Sequence, residues 1–360
     1  MKHTRLLLVV LMLFAALSQV HSQEKEKKED SSALGQVNGF LSKHVKLTAY
    51  GQFGYSYTDK KDLNVRQADN QFFGRLGMLI LSGDITDKLS WMVQYELFTS
   101  QLLELYACYK PYPYFQVKVG QMKTCFTLEN QMSPSVYETV NFSRVIERLA
   151  GFSGDVCGNQ GGRDIGLQVG GELLKTSFDD YFFEYRAGVY NGSGLSMKDN
   201  NNAKDYAAWF TLQPVKGLKM GASAYIGKLN YNYMGMNPET GEELNYNTNI
   251  KRNRVALSAC YQNKRLTCRG EYLWGKDDAV NRSGFYALGH WFAVPSRLAL
   301  VAKLERYEAN TAVSDAEMIY TVGGAYHITA KTRIMLNYAH FNYDKSASVN
   351  ELWAMLQIGF

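Results

Sequence analysis

The chain has 360 residues, a formal net charge of +5, and 25 Tyr, 18 Phe and 31 Gly against 6 Pro. This charge is too small to indicate a nucleic-acid partner. The five cysteines include no CxxC pair, so neither a disulfide framework nor a metal site is predicted, and no cofactor is expected. Many aromatic residues at a slightly negative mean hydropathy are typical of strands that alternate between lipid and a wet lumen.

The N-terminus carries an export pattern. Lys2 and Arg5 precede an apolar run that ends at Leu17. That run is too short to cross a bilayer core of roughly 30 Å as a helix. It predicts a cleaved signal peptide over residues 1–22, the alternative being a retained anchor. The polar segment 23–43 is expected to be a flexible periplasmic lead-in.

From residue 44 onward, apolar residues recur at every second position in segments long enough for tilted transmembrane strands. The pattern predicts an all-β protein, a transmembrane antiparallel barrel of about 16 strands over residues 44–360. An even number places both termini on the periplasmic side. A large soluble β-protein is the alternative. The predicted strands lie near 44–57, 71–82, 89–97, 102–110, 115–123, 165–173, 181–190, 206–213, 218–228, 254–262, 265–275, 284–293, 298–308, 318–327, 332–342 and 350–360.

Short connections alternate with longer, more polar ones, which is the usual asymmetry between the periplasmic and outer ends of such a barrel. The longer ones are 58–70, 124–164, 191–205, 229–253 and 276–283. Connection 124–164 is long enough to be functional, and we expect it to fold into the lumen and narrow it. The alternative is a loose external loop. Cys125 and Cys157 both lie in it and could form a disulfide.

One hairpin allows a register to be predicted. With a two-residue turn at Asn263-Lys264, Tyr261 would face Leu266. The same register places Cys260 and Cys268 on opposite faces, so these two are expected not to bond.

The parity of the strands also predicts which charged residues line the lumen. Basic and acidic residues occur there in nearly equal numbers, and acidic residues exceed basic ones in connection 124–164, so no ion preference is derived. The basic candidates for the pore lining and its constriction are Lys118, Lys123, Arg144, Arg148, Arg163, Arg75, Arg186, Arg269 and Lys303.

Several segments in order resemble one family of bacterial channels, the phosphate-selective porin O/P family. VGQMK at 119–123, followed by Phe126 and Glu129, is similar to its VGQFKxPFxxE, although Cys125 stands where that motif has Pro. RDIGLQ from residue 163 is similar to RDIGxQ, and VYNGSG from residue 189 to VxNGxG. The family's arginine ladder and lysine cluster cannot be matched residue by residue.

The resemblance implies a homotrimer of sixteen-stranded barrels with the third outer loop folded into each pore, and uptake of small anions, phosphate among them in some members. We therefore predict an outer-membrane porin, surrounded by lipid, for passive diffusion of small hydrophilic solutes. The alternative is an adhesin or receptor scaffold with little conductance. No GxSxG or HExxH motif indicates an enzyme.

Overall fold

The computed structural model describes residues 45–59, 70–152, 155, 161–199, 201–231, 234–236, 243–245, 248–313 and 315–360. The predicted signal peptide, the periplasmic lead-in and Cys157 lie outside these residues. The strands are β1 Lys46–Thr58, β2 Asn70–Thr86, β3 Leu89–Glu96, β4 Gln101–Tyr112, β5 Phe115–Lys123, β6 Arg163–Lys175, β7 Tyr181–Tyr190, β8 Asp205–Val215, β9 Leu218–Tyr231, β10 Met234–Met236, β11 Glu243–Asn245, β12 Thr248–Gln262, β13 Leu266–Asp277, β14 Val280–Val294, β15 Leu298–Glu308, β16 Ala316–His327, β17 Arg333–Tyr343 and β18 Val349–Gly359.

Sixteen of these strands form one closed antiparallel barrel, and β10 and β11 pair separately. Each strand pairs with its neighbours along the chain, and β18 closes the sheet against β1 with Ser56 opposite Trp353. Closure supplies partners for backbone N–H and C=O groups that hydrocarbon cannot satisfy. The predicted strand count and the pairing of the last strand with the first are confirmed. No helix among the described residues is long and apolar enough to cross a membrane.

Alternation along the strands separates the two faces of the wall. In β8, Tyr206, Phe210 and Leu212 are exposed on the outer face of the barrel. Trp209 and Thr211 alternate with them and are buried inside the barrel. A side-chain period of two, with one apolar surface, therefore assigns each residue to lipid or lumen.

The connection predicted over 276–283 is wrong, because β13 and β14 extend through most of it. They leave a turn of Asp278 and Ala279, in which Asp278 has a positive φ of 47°. Aspartate tolerates this backbone region better than most residues do. The Asp278 carboxylate also accepts a hydrogen bond from the Lys251 N–H at 2.9 Å, which ties the turn to β12.

The register predicted for the β12–β13 hairpin is wrong by two residues. Tyr261 faces Cys268 rather than Leu266. The turn is longer than two residues because the Asn263 side-chain oxygen accepts hydrogen bonds from the N–H groups of Arg265 at 2.8 Å and Leu266 at 2.9 Å. A shift of two preserves every face, so Cys260 and Cys268 do lie on opposite faces, and both are free thiols.

Candidate functional site

The described residues of 124–162, between β5 and β6, lie inside the barrel and are called the inward loop here. It contains helix α1 (Leu128–Gln131), a 3₁₀ turn (Pro134–Val136) and helix α2 (Arg144–Leu149). The prediction that this connection folds into the lumen is confirmed. Its predicted end is displaced slightly, because Arg163 and Asp164 already belong to β6.

The start of the inward loop is anchored to the wall by backbone N–H groups. The Cys125 N–H donates to the Tyr190 hydroxyl at 3.1 Å. The N–H groups of Leu128 and Glu129 both donate to the Glu271 carboxylate at 2.7 Å. A carboxylate at this position satisfies donors that the first turn of α1 leaves without intrahelical partners.

The middle of the inward loop reaches the wall on the far side of the lumen. The Ser135 carbonyl accepts hydrogen bonds from Arg333 at 2.9 Å and from Gln357 at 3.1 Å. The Val140 N–H donates to the Asn337 side chain at 2.7 Å. These contacts with β17 and β18 hold the loop across the lumen, so a solute must pass beside it.

Helix α2 fills one side of the lumen. Val145 and Ile146 are fully buried, and Leu149 is 2% exposed. They belong to a core cluster with inward apolar residues of the wall, among them Leu273 and Tyr286. The wall from β7 to β15 therefore encloses a dry core rather than water.

The carboxyl of Glu129 lies inside this packing. Its Oε1 accepts the Ser143 N–H at 3.2 Å, and its Oε2 is buried without a hydrogen-bond partner. Burial raises the pKa of Glu129 above its ordinary value, because the charged form loses its hydration.

The inward loop returns to the wall at Gly162, whose carbonyl accepts the Thr124 N–H at 3.1 Å and the Asn130 amide at 3.0 Å. Gly162 has a φ of +64°, and a Cβ there would lie 2.3 Å from the Asn130 side-chain oxygen. Only glycine suits this close approach. The hydrogen bond between Thr124 and Gly162 joins the first and last residues of the inward loop.

Among the described residues, two large cavities lie between the inward loop and the barrel wall. The basic cavity, of about 250 Å³, lies between the inward loop and strands β2 to β7. Its charged residues are Lys118, Lys123, Arg186 and Glu104. The aromatic cavity, of about 450 Å³, lies between the inward loop, β2 and strands β15 to β18.

The basic cavity brings together three of the predicted pore-lining residues. Lys118 Nζ lies 4.4 Å from the centre of the Tyr106 ring, and Lys123 Nζ donates to the Met132 carbonyl at 2.6 Å. Arg186 is paired with Glu184 at 2.5 Å. The carboxylate in the cavity, Glu104, is itself paired with Arg163 at 3.2 Å. The balance of charge facing this cavity is therefore positive.

The other predicted basic residues are dispersed. Arg75 lines the aromatic cavity beside Gln52, and Arg269 is buried in an ion pair with Glu138 at 2.7 Å. Further positions are Arg144 and Lys303 in the aromatic cavity, Arg148 on α2 and Arg163 at the start of β6. The nine candidates thus form no single ring.

Other residues of the site are not among the nine basic candidates. Phe142, Phe341 and Trp353 give the aromatic cavity its ring surfaces. The alternation along the last strand predicts that Trp353 points into the lumen, and the same parity in β17 could have placed Phe341 there. Nothing local marks Phe142, which lies in the inward loop, or the role of Glu271 as the acceptor for that loop.

A closed sixteen-stranded barrel, with apolar residues outside and a long loop folded across a partly hydrated lumen, defines the class of outer-membrane porins. The chain belongs to the phosphate-selective porin O and P family, whose sequence profile matches residues 47–360. It is an outer-membrane channel for passive diffusion of small hydrophilic solutes.

Solved structures share this fold at low sequence identity. An anion-selective porin from Comamonas acidovorans superimposes with a TM-score of 0.64 at 11% identity, over 88% of this chain and 99% of that one. Pseudomonas putida OprB gives 0.66 at 13% identity, over 91% and 96%. A trimer form of Vibrio cholerae OmpT gives 0.60 at 13%, over 88% and 99%. No curated protein matches the chain in sequence.

Proposed function

We propose that the channel prefers small anions and that the basic cavity carries this preference. The observation behind the proposal is the positive charge of Lys118 and Lys123 in this cavity. The other two charged residues there are each in an ion pair, Arg186 with Glu184 and Glu104 with Arg163. A pore selects ions by a local excess of one sign, because an ion of the opposite sign is then favoured where it loses part of its hydration.

The difference in salt-bridge formation between these two lysines and the other inward basic residues strengthens the proposal. Within the described part of the chain, neither Lys118 nor Lys123 forms a salt bridge, whereas Arg269, Lys303 and Arg144 all do. An ion pair largely cancels the field of its own members. The two lysines therefore contribute more to the potential of the pore than the other inward basic residues do.

We also propose that the mature protein, without residues 1–22, assembles as a homotrimer and has no catalytic role. The family resemblance supports the trimer, and one similar structure, that of Vibrio cholerae OmpT, is described as a trimer form. The exposed apolar outer surface leaves room for both lipid and neighbouring subunits. Crosslinking of the purified protein in membranes tests this assembly, and a protein that crosslinks only as a monomer contradicts it.

The anion preference is tested by reversal potentials of single channels in a KCl gradient across a planar bilayer. The wild type is expected to show a potential of the sign given by chloride permeation. Replacing Lys118, Lys123 and Arg186 together by glutamine should reduce or reverse it. A matched control is Lys216→Gln, which removes one charge from the exposed turn between β8 and β9. A triple variant that conducts with an unchanged reversal potential would refute the role of the basic cavity.

A further inference from the structure

The aromatic cavity has a different composition from the basic cavity. Its volume of about 450 Å³ is within the range of roughly 300–1,000 Å³ that is usual for sites of small organic ligands. Ring side chains and aliphatic side chains share its wall with amides, hydroxyls and charged groups. Most of its residues on β15 to β18 lie in the half of each strand that is nearer the connections expected on the outer side.

The charges of the aromatic cavity are balanced. Three are basic (Arg75, Arg144 and Lys303) and three are acidic (Glu147, Glu305 and Glu351). Most are joined to each other or to other polar groups at hydrogen-bond distance. Arg144 contacts Glu147 at 2.8 Å, and Lys303 contacts Glu305 at 2.9 Å. With no excess of either sign, this cavity has no basis for selecting a free ion.

Three aromatic rings give the same cavity an apolar surface beside its charged groups. Arg75 lies 5.7 Å from the ring centre of Phe142, and Arg144 lies 5.5 Å from that of Phe341. These cation–π contacts orient both rings, and each guanidinium covers at most one face of its ring. Trp353 is held by a hydrogen bond from its indole N–H to Glu351 at 3.0 Å.

We propose that the aromatic cavity is a binding site for neutral saccharides. A sugar ring has C–H groups that pack against aromatic rings and a rim of hydroxyls that both donate and accept hydrogen bonds. The carboxylates, amides and guanidinium groups around Phe341 and Trp353 match this rim. A purely apolar solute would displace water from those polar groups without replacing its hydrogen bonds, which is costly in a partly desolvated site.

This assignment does not depend on the anion preference of the basic cavity. It concerns different residues, and its readout is sugar binding rather than ion selectivity. A channel without anion preference could still bind sugar here, and an anion-preferring channel could fail to do so.

Maltose is a suitable neutral probe. Added to the outer side of wild-type channels in a planar bilayer, it should reduce the ionic current in a saturable manner. Phe341→Leu and Trp353→Leu remove one ring each while keeping an apolar side chain. Each should raise the half-blocking concentration roughly threefold to tenfold, as expected for loss of one aromatic contact. Trp274→Leu is the matched control, because Trp274 is 45% exposed on the outer, lipid-facing surface.

Tryptophan fluorescence gives a second readout that needs no current. Maltose should change the emission of the wild type and of Trp274→Leu, and this change should be largely lost in Trp353→Phe. The proposal is overturned if maltose neither blocks the current nor changes the emission of the wild type. It is also overturned if channels with Phe341→Leu and Trp353→Leu conduct normally and are blocked by the same maltose concentration as the wild type.

Discussion

The two sides of the lumen are built by the same alternating strands, yet one is dry and the other wet. From β7 to β15, inward residues such as Leu273 and Tyr286 pack against Ile146 and Leu149 of α2. On the remaining wall, inward residues such as Lys118 and Trp353 face the two cavities. Alternation decides which side chains point inward, but their chemistry decides whether the inward loop packs on them or leaves a passage.

The two sides also depend on charge differently. On the dry side, the Glu271 carboxylate holds backbone N–H groups and is sealed from water, with the residue 3% exposed. On the wet side, Lys118 keeps its ammonium near the Tyr106 ring and forms no salt bridge within the described part of the chain. The Glu271 carboxylate therefore fixes the loop, whereas the Lys118 ammonium can act on solutes.

The largest expected effect is loss of the dry packing. Ile146→Ala removes a fully buried side chain of α2, which should weaken the attachment of the inward loop by about 2–5 kcal/mol. The barrel should stay closed, because no strand pairing involves Ile146. Single-channel conductance and its noise should rise. Val136→Ala is the control, since Val136 is 53% exposed in the same loop. Unchanged conductance would show that the packing of α2 does not determine the width of the pore.

A smaller effect is expected at Glu271. Glu271→Gln leaves only one oxygen for the N–H groups of Leu128 and Glu129, so about 1–3 kcal/mol of loop attachment should be lost. Limited proteolysis of the protein in membranes should cut the inward loop faster than in the wild type. Equal rates would mean that the carboxylate is not needed to anchor α1.

A pH dependence follows from Glu129. Because burial raises its pKa in the attached loop, attachment is strongest below the ordinary glutamate pKa and weakens as the pH rises through the raised value. Conductance noise should therefore increase as the pH rises through this window. The side chain in Glu129→Gln stays neutral, so the conductance noise of this variant should remain low across the whole pH range. If conductance noise in this variant depends on pH as it does in the wild type, another titrating group causes the effect.

The smallest effect is expected at the rim. Lys110 and Glu172 form an exposed ion pair at 3.0 Å, which should contribute less than about 1 kcal/mol. Lys110→Ala should leave thermal stability in detergent and reversal potential nearly unchanged. A clear change in reversal potential would mean that the field of the pore extends well beyond the basic cavity.

The sequence alone was sufficient for the number of strands in the barrel wall, their two faces and the closure of the sheet. Strand number, the assignment of Cys260 and Cys268 to opposite faces, and closure of β18 on β1 all follow from a period of two and from the need to pair every backbone group in hydrocarbon. The family motifs likewise predicted a loop folded inward between β5 and β6. These features are local or repeated, because the alternation of apolar and polar residues is present in every strand.

The tertiary structure decided the register of the β12–β13 hairpin and the arrangement of groups inside the wall. The two-residue shift at Tyr261 depended on how the Asn263 side chain closes its turn, and apolar periodicity cannot detect a shift that preserves the faces. The contact of Leu128 with Glu271 joins residues far apart in sequence. In the part of the chain that the structure describes, Arg269 is in an ion pair, whereas Lys118 and Lys123 are not. This difference also depends on the path of the inward loop, because that path determines which basic side chains meet a carboxylate and which face water.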